Sequence, residues 1–217
     1  MHQLISRLTD WYSSVLEQWG FWAVGLLMAA ESTVLPIPSE VIIPPAAHQA
    51  WNGSGLVLFG THYSGWTAMA LLVGFGAIGS WAGAAIMYWA ARLAGRPLVL
   101  KFGKYFLISA EKIEGAERWA AHYGALGIFA SRLLPVVRHL IGIPAGIVRM
   151  NFLQYSLYTL AGAGAWSAVL CWLGVKIGGQ IGKGEMHQVT FTLVAFLAVI
   201  ALLYWFFVHR QMKRRAD

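Results

Sequence analysis

Four charged side chains lie where charge is hard to keep. Glu31 and Glu40 sit in a largely apolar stretch from Gly20 to Ala50, and Arg132 and Arg138 in another from Gly124 to Arg149. Each would cost roughly 2.5–3.5 kcal/mol at the centre of an isolated membrane helix, so four left unpaired would be hard to hold there. The first stretch supplies only acids and the second only bases, and if the two meet the charges neutralise one another around a wet cavity. Arginine offers a planar fork of donors suited to phosphate and stays charged at any biological pH. A carboxylate beside such a cavity could take up and release a proton. Arg132 and Arg138 are therefore the candidate phosphate ligands, and Glu31 and Glu40 the candidate sites for a coupling ion, H⁺ or Na⁺. His139, Pro36 and Pro135 are accessory candidates. The simpler use of the four charges is as ion pairs joining two halves of a fold.

Whether these stretches face lipid follows from the rest of the chain. Of 217 residues, 58% are hydrophobic and only 12% charged, with a mean hydropathy of +0.59; this excludes an ordinary soluble domain. The net charge of +7 gathers beside apolar runs, where it marks cytoplasmic loops and anionic lipid rather than nucleic acid. Residues 67–91, 152–175 and 188–208 are apolar and long enough to span a bilayer. Arg92, Arg96, Lys101 and Lys104 follow the first run, and Arg210, Lys213, Arg214 and Arg215 the last, which puts both on the cytoplasmic side, the C-terminus included. Residues 51–66 have no lysine or arginine and are expected outside.

The spans at 67–91 and 188–208 then run inward and that at 152–175 outward, so 20–50 and 124–149 must each enter and leave from one side. Four prolines in the first, Pro36, Pro38, Pro44 and Pro45, argue against a straight spanning helix. The expected fold is an all-α integral membrane protein, one domain over 1–217. It has an amphipathic interfacial helix at 1–19, re-entrant hairpins at 20–50 and 124–149, a cytoplasmic linker at 92–121 and a C-terminal span. Leu4, Ile5, Leu8, Trp11, Tyr12, Val15, Leu16 and Trp19 supply the helical spacing of the first element. The N-terminus lacks the pattern of a signal peptide and is expected to stay on the mature chain. Trp51, Trp66 and Trp119 near the ends of elements read as interfacial anchors.

Self-similarity supports the paired hairpins. Laying LPIPSEVIIPPAA (35–47) on LPVVRHLIGIPAG (134–146) matches Leu35 with Leu134, Pro36 with Pro135, Ile42 with Ile141, Pro45 with Pro144 and Ala46 with Ala145, and GSW at 79–81 matches GAW at 164–166. The expectation is an inverted repeat of hairpin plus span. The small-residue pairs Gly79 with Gly83, Gly142 with Gly146 and Gly174 with Gly178 permit close helix approach, within the protomer or across a homodimer. No internal disulfide can form with Cys171 alone, and the scattered histidines have no metal-ligand spacing.

Phe129, Arg132, Pro135 and Arg138, then Ala145, Gly146, Met150, Phe152, Gly162 and Trp166, resemble the signature of the DedA family, also called the SNARE-associated Golgi or VTT-domain family. The spacing from Glu31 to Glu40, E-S-x-x-x-P-x-P-x-E, is similar to that family's acidic motif, whose second acid is often aspartate in relatives. The resemblance implies a lipid transporter of the bacterial inner membrane. Members move undecaprenyl phosphate, several depend on the proton motive force, and eukaryotic relatives scramble phospholipids. By motif position Glu31, Glu40, Arg132 and Arg138 correspond to residues the family requires. The substrate partner so implied is a lipid phosphate in contact with membrane lipids, with no cofactor.

Two other activities are open to the same residues. A proton-coupled exporter of small cations would use the acids as its main site and the arginines as balance. An intramembrane lipid phosphatase finds little support: six residues separate Arg132 from His139, position 143 is not aspartate, and no P-S-G-H sequence is present. No phosphate loop appears, so transport energy would come from an ion or lipid gradient.

Overall fold

The computed structural model describes residues 2–33, 38–103, 115, 118, 124, 126–134, 138 and 141–178. Pro36, Pro135, His139, Trp119, most of the expected linker beyond Gly103 and the expected span at 188–208 lie outside the described residues.

The described chain is mostly helical. Helix α1 (His2–Trp19) turns at Gly20 into α2 (Phe21–Glu31), and after a break α3 covers Ser39–Asn52. A two-stranded antiparallel hairpin follows, β1 (Leu56–Leu58) with β2 (Thr61–Tyr63). Helix α4 runs from Gly65 to Gly103 with a kink at Gly95, where φ is 69°. Residues 126–132 are helical, α5 covers Gly142–Ile147 and α6 covers Phe152–Gly178. Gly65–Gly95 and Phe152–Lys176 are long and apolar enough to cross a membrane.

The β hairpin was not foreseen from sequence: Gly55 and Gly60 supply positive φ at its entrance and tip, a turn signal hidden inside a run with little alternation. Pro44 and Pro45 were expected to help break the segment, yet both lie inside α3. They remove the amides that would pair with the carbonyls of Glu40 and Val41 one turn earlier. The Tyr12 hydroxyl donates to the neighbouring carbonyl of Ile42, tying α1 to this irregular turn; Leu16 of α1 is buried, while Trp11 and Trp19 are exposed.

The two long helices are each gripped by both broken segments. On α4, Gly79 and Gly83 meet α2 so closely that a Cβ at either would sit 2.1 Å from the carbonyl oxygen of Gly25 or Ala29. The same helix meets α5, where a Cβ on Gly146 would lie 2.3 Å from the Tyr88 carbonyl oxygen. On α6, Gly162 faces the 126–132 helix and Gly174 faces Pro44 of α3, with clashes of 2.6 Å and 2.4 Å for an added Cβ. Absent side chains thus let backbones approach to contact distance, the usual route to tight packing when lipid is as apolar as the partner.

Gly79→Ala is expected to destabilise the detergent-purified protein by about 1–3 kcal/mol through overpacking. Gly74→Ala, whose Cβ meets nothing within 4 Å, should hold or raise the melting temperature, because alanine is the better helix former by about 1 kcal/mol. Equal melting of the two variants would show that the α2–α4 contact is loose.

Candidate functional site

Helix α2 ends at Glu31 and α3 begins at Ser39, so the break between them presents both acids to the interior. Glu40 occupies the first turn of α3, where the free amides and the helix dipole favour a carboxylate. Glu31 is 2% exposed and Glu40 8%. The Ser39 amide donates to Glu31 Oε1 at 3.0 Å, fixing one acid to the start of the next helix.

Arg138 comes from the corresponding break in the second segment. Its Nη2 donates to Glu31 Oε1 at 2.8 Å and to Glu40 Oε1 and Oε2 at 3.1 and 3.2 Å. One guanidinium therefore holds two carboxylates, and all three side chains are buried. The Trp166 ring lies 5.5 Å from Arg138 Cζ, within cation–π range. Its indole N–H donates to Ser39 Oγ at 3.3 Å. Trp166 thus touches the base from one segment and the start of the acidic helix in the other.

Arg132 is placed differently. It ends the helical stretch 126–132, its stem lies against Gly162, and it is 3% exposed. Its Nη2 donates to the Tyr155 hydroxyl at 3.3 Å, which in turn donates to the Ala84 carbonyl at 3.1 Å. Among the described residues no carboxylate pairs with it, and its Nε is buried without a hydrogen-bond partner. Met28, Glu31, Ser80, Arg132, Arg138 and Trp166 surround a narrow void of about 10 Å³, room for roughly one water molecule. Ser80 on this wall exchanges a 2.7 Å hydrogen bond with Ser32.

The structure brings all four candidate charges to one region but splits their roles. Arg138 is neutralised by both acids, while among the described residues Arg132 is held by a tyrosine. Tyr155, Trp166, Ser39 and Ser80 were not picked out as site residues from sequence. A signal existed on α6: Tyr155, Thr159, Gly162 and Trp166 recur at helical spacing on one face, and all four are buried.

The apolar helices and their buried charged cluster define a helical membrane protein with a polar centre. The chain belongs to the VTT-domain family, the DedA family, whose domain matches residues 43–176. It is 31% identical to undecaprenyl phosphate transporter A of Bacillus subtilis over 97% of both chains. It is 26% identical to the Staphylococcus aureus protein of the same name, over 92% of this chain and 95% of that one. A Lactococcus lactis relative named alkaline phosphatase-like protein is 32% identical over 87% of this chain and 86% of its own. No solved structure matches the chain.

Arg138→Ala should leave two carboxylates facing each other in the core and cost about 3–5 kcal/mol. Combining Arg138→Met with Glu31→Gln and Glu40→Gln removes the whole charged group and should recover most of that loss in thermal melting. A single variant as stable as the parent would mean that the acids are well hydrated.

Proposed function

We propose that the protein is a lipid-phosphate translocase, moving a polyprenyl phosphate or related phospholipid across the bacterial inner membrane, driven by proton entry. The observation that carries this reading is Arg132, a buried guanidinium with no carboxylate partner among the described residues and an unsatisfied Nε. An isolated buried charge is strongly disfavoured and calls for an anion. A phosphate offers oxygens in the geometry that guanidinium binds best. The relatives named as undecaprenyl phosphate transporters support the choice of anion.

In this mechanism the described state is closed, since a void that holds about one water does not admit a phosphate. The headgroup binds Arg132 first. It then competes with Glu31 and Glu40 for Arg138, so that Arg138 completes the phosphate site as the acids let go. A carboxylate released into an apolar centre is stabilised by taking up a proton, which links substrate binding to the ion. Lipid and proton shift the balance of inward-open and outward-open states only through their different affinities for the two. The prenyl tail stays in the bilayer.

The two broken segments act here as re-entrant hairpins in an inverted repeat, with the C-terminus cytoplasmic. Two features support that arrangement. Under the match of 35–47 with 134–146, Ser39 aligns with Arg138, and both donate to the same oxygen, Oε1 of Glu31. The grip of each segment on α4 and α6 is also exchanged: Ala47 lies 3.0 Å from a Cβ built on Gly174, and its aligned partner Gly146 abuts Tyr88 and Ala91. Pro36, Pro135 and His139 would shape the breaks. A cation exporter is less well supported, because the two acids already converge on a cation of the protein's own. A phosphatase needs a nucleophile beside a base, and the Ser80 hydroxyl on the cavity wall bonds to another hydroxyl.

The test is transbilayer movement of a short-chain polyprenyl phosphate in reconstituted vesicles. A charge-assisted hydrogen bond of about 1.5–3 kcal/mol corresponds to roughly 10- to 150-fold in rate, so Arg132→Gln should lose that much and Arg132→Lys less. An Arg132→Gln protein that moves the lipid at the parental rate would overturn the assignment.

A further inference from the structure

Another guanidinium lies one turn along α4 from Tyr88, whose ring stacks on the tyrosine that holds Arg132. Arg92 donates to the Tyr88 hydroxyl at 2.5 Å, and its Cζ sits 5.8 Å from the Tyr88 ring centroid and 5.3 Å from that of Trp89. Tyr88 stacks on Tyr155 with centroids 4.9 Å apart and planes at 25°. Arg92 and Arg132 are thus each hydrogen-bonded to a hydroxyl of one stacked tyrosine pair. Arg92 is half-buried, already fixed in plane by its aromatic contacts, and without a carboxylate partner among the described residues.

The end of α5 reaches the same place. Gly146 packs on the Tyr88 carbonyl and the Arg92 amide, and the Tyr88 hydroxyl donates to the Met150 carbonyl. Between them stands Arg149, exposed, with φ 52°. Its amide donates to the Gly146 carbonyl at 3.1 Å, and that of Met150 to the Ala145 carbonyl at 3.0 Å. This left-handed position after a helix is the one glycine fills most easily. An arginine held there keeps a charge at a conformational cost, which points to a use for the charge.

We propose that Arg92 and Arg149 form a second anion site at the rim of the protein. It holds the phosphate group of a lipid phosphate on its way to or from Arg132. This rests on the lipid-phosphate reading above. A preset guanidinium fork loses little freedom on binding and suits a phosphate carrying more than one free oxygen. Its role is capture: it sets how much lipid is needed to fill the transporter, whereas Arg132 sets whether the headgroup crosses.

The experiment measures initial transport rate against lipid density in vesicles for the full-length parent, Arg92→Gln, Arg149→Gly and Arg132→Gln. Arg92→Gln and Arg149→Gly should each raise the half-saturating density of short-chain polyprenyl phosphate about fivefold or more, roughly 1 kcal/mol of lost binding, and more than they lower the saturated rate. Arg149→Gly should also raise the melting temperature, since glycine relieves the left-handed residue; weaker capture in a more stable protein cannot come from damage to the fold. Unchanged half-saturation in both rim variants, with Arg132→Gln slowed as expected, would overturn the rim site and leave the transporter standing. A parent that moves no lipid phosphate at any density would instead sink the underlying reading. Inorganic phosphate should compete far more weakly than the short-chain prenyl phosphate; equal competition would make free phosphate the ligand and overturn the lipid assignment.

Discussion

A guanidinium shared by two carboxylates inside an apolar helix bundle constrains much of the described core. Arg138 can be buried because Glu31 and Glu40 face it, and the two acids can lie side by side because Arg138 stands between them. Neither partnership is available within one helix. The chain must break between Glu31 and Ser39 so that both acids reach the same point, and it must bring in Arg138 from more than a hundred residues away in sequence. Trp166 then covers the guanidinium while its N–H fastens the start of α3. Buried ion pairs are poor sources of net stability, because desolvation offsets most of the attraction. Their presence here fits a site that has to exchange partners better than one that only has to hold.

The contrast between the two arginines gives this arrangement a direction. Arg138 is bound by groups that compete with an incoming anion, and Arg132 by a neutral hydroxyl that does not. In the proposed mechanism an anion therefore meets the less compensated charge before it meets the more compensated one. Tyr155 has the pivotal position, since it holds Arg132 with its oxygen and stacks its ring on Tyr88.

The four charges could be found in the sequence because apolar surroundings make any ionised residue conspicuous. Their partners were harder to see. Tyr155 passes as an ordinary member of an apolar helix until the face it shares with Thr159, Gly162 and Trp166 is drawn, and Trp166 is marked only by the family signature. Which acid meets which arginine depends on how two distant breaks are brought together, and no local pattern encodes that. The long helices α4 and α6 follow from uninterrupted apolar runs. The hairpin at 56–63 does not, because its strands are three residues long and alternate poorly. The prolines misled in one respect: Pro44 and Pro45 are tolerated inside α3, where helix periodicity survives the loss of two amide donors.

The exchanged grip on α4 and α6 carries a mechanical implication. Each broken segment leans one arm on the first long helix and the other arm on the second, with backbone in near contact at both places. Such an interlock couples its parts: tilting one segment loads both long helices, and they in turn load the opposite segment. If the proposed translocase rocks between two open states, the four pieces would move like a seesaw about the charged centre, where widening one side narrows the other.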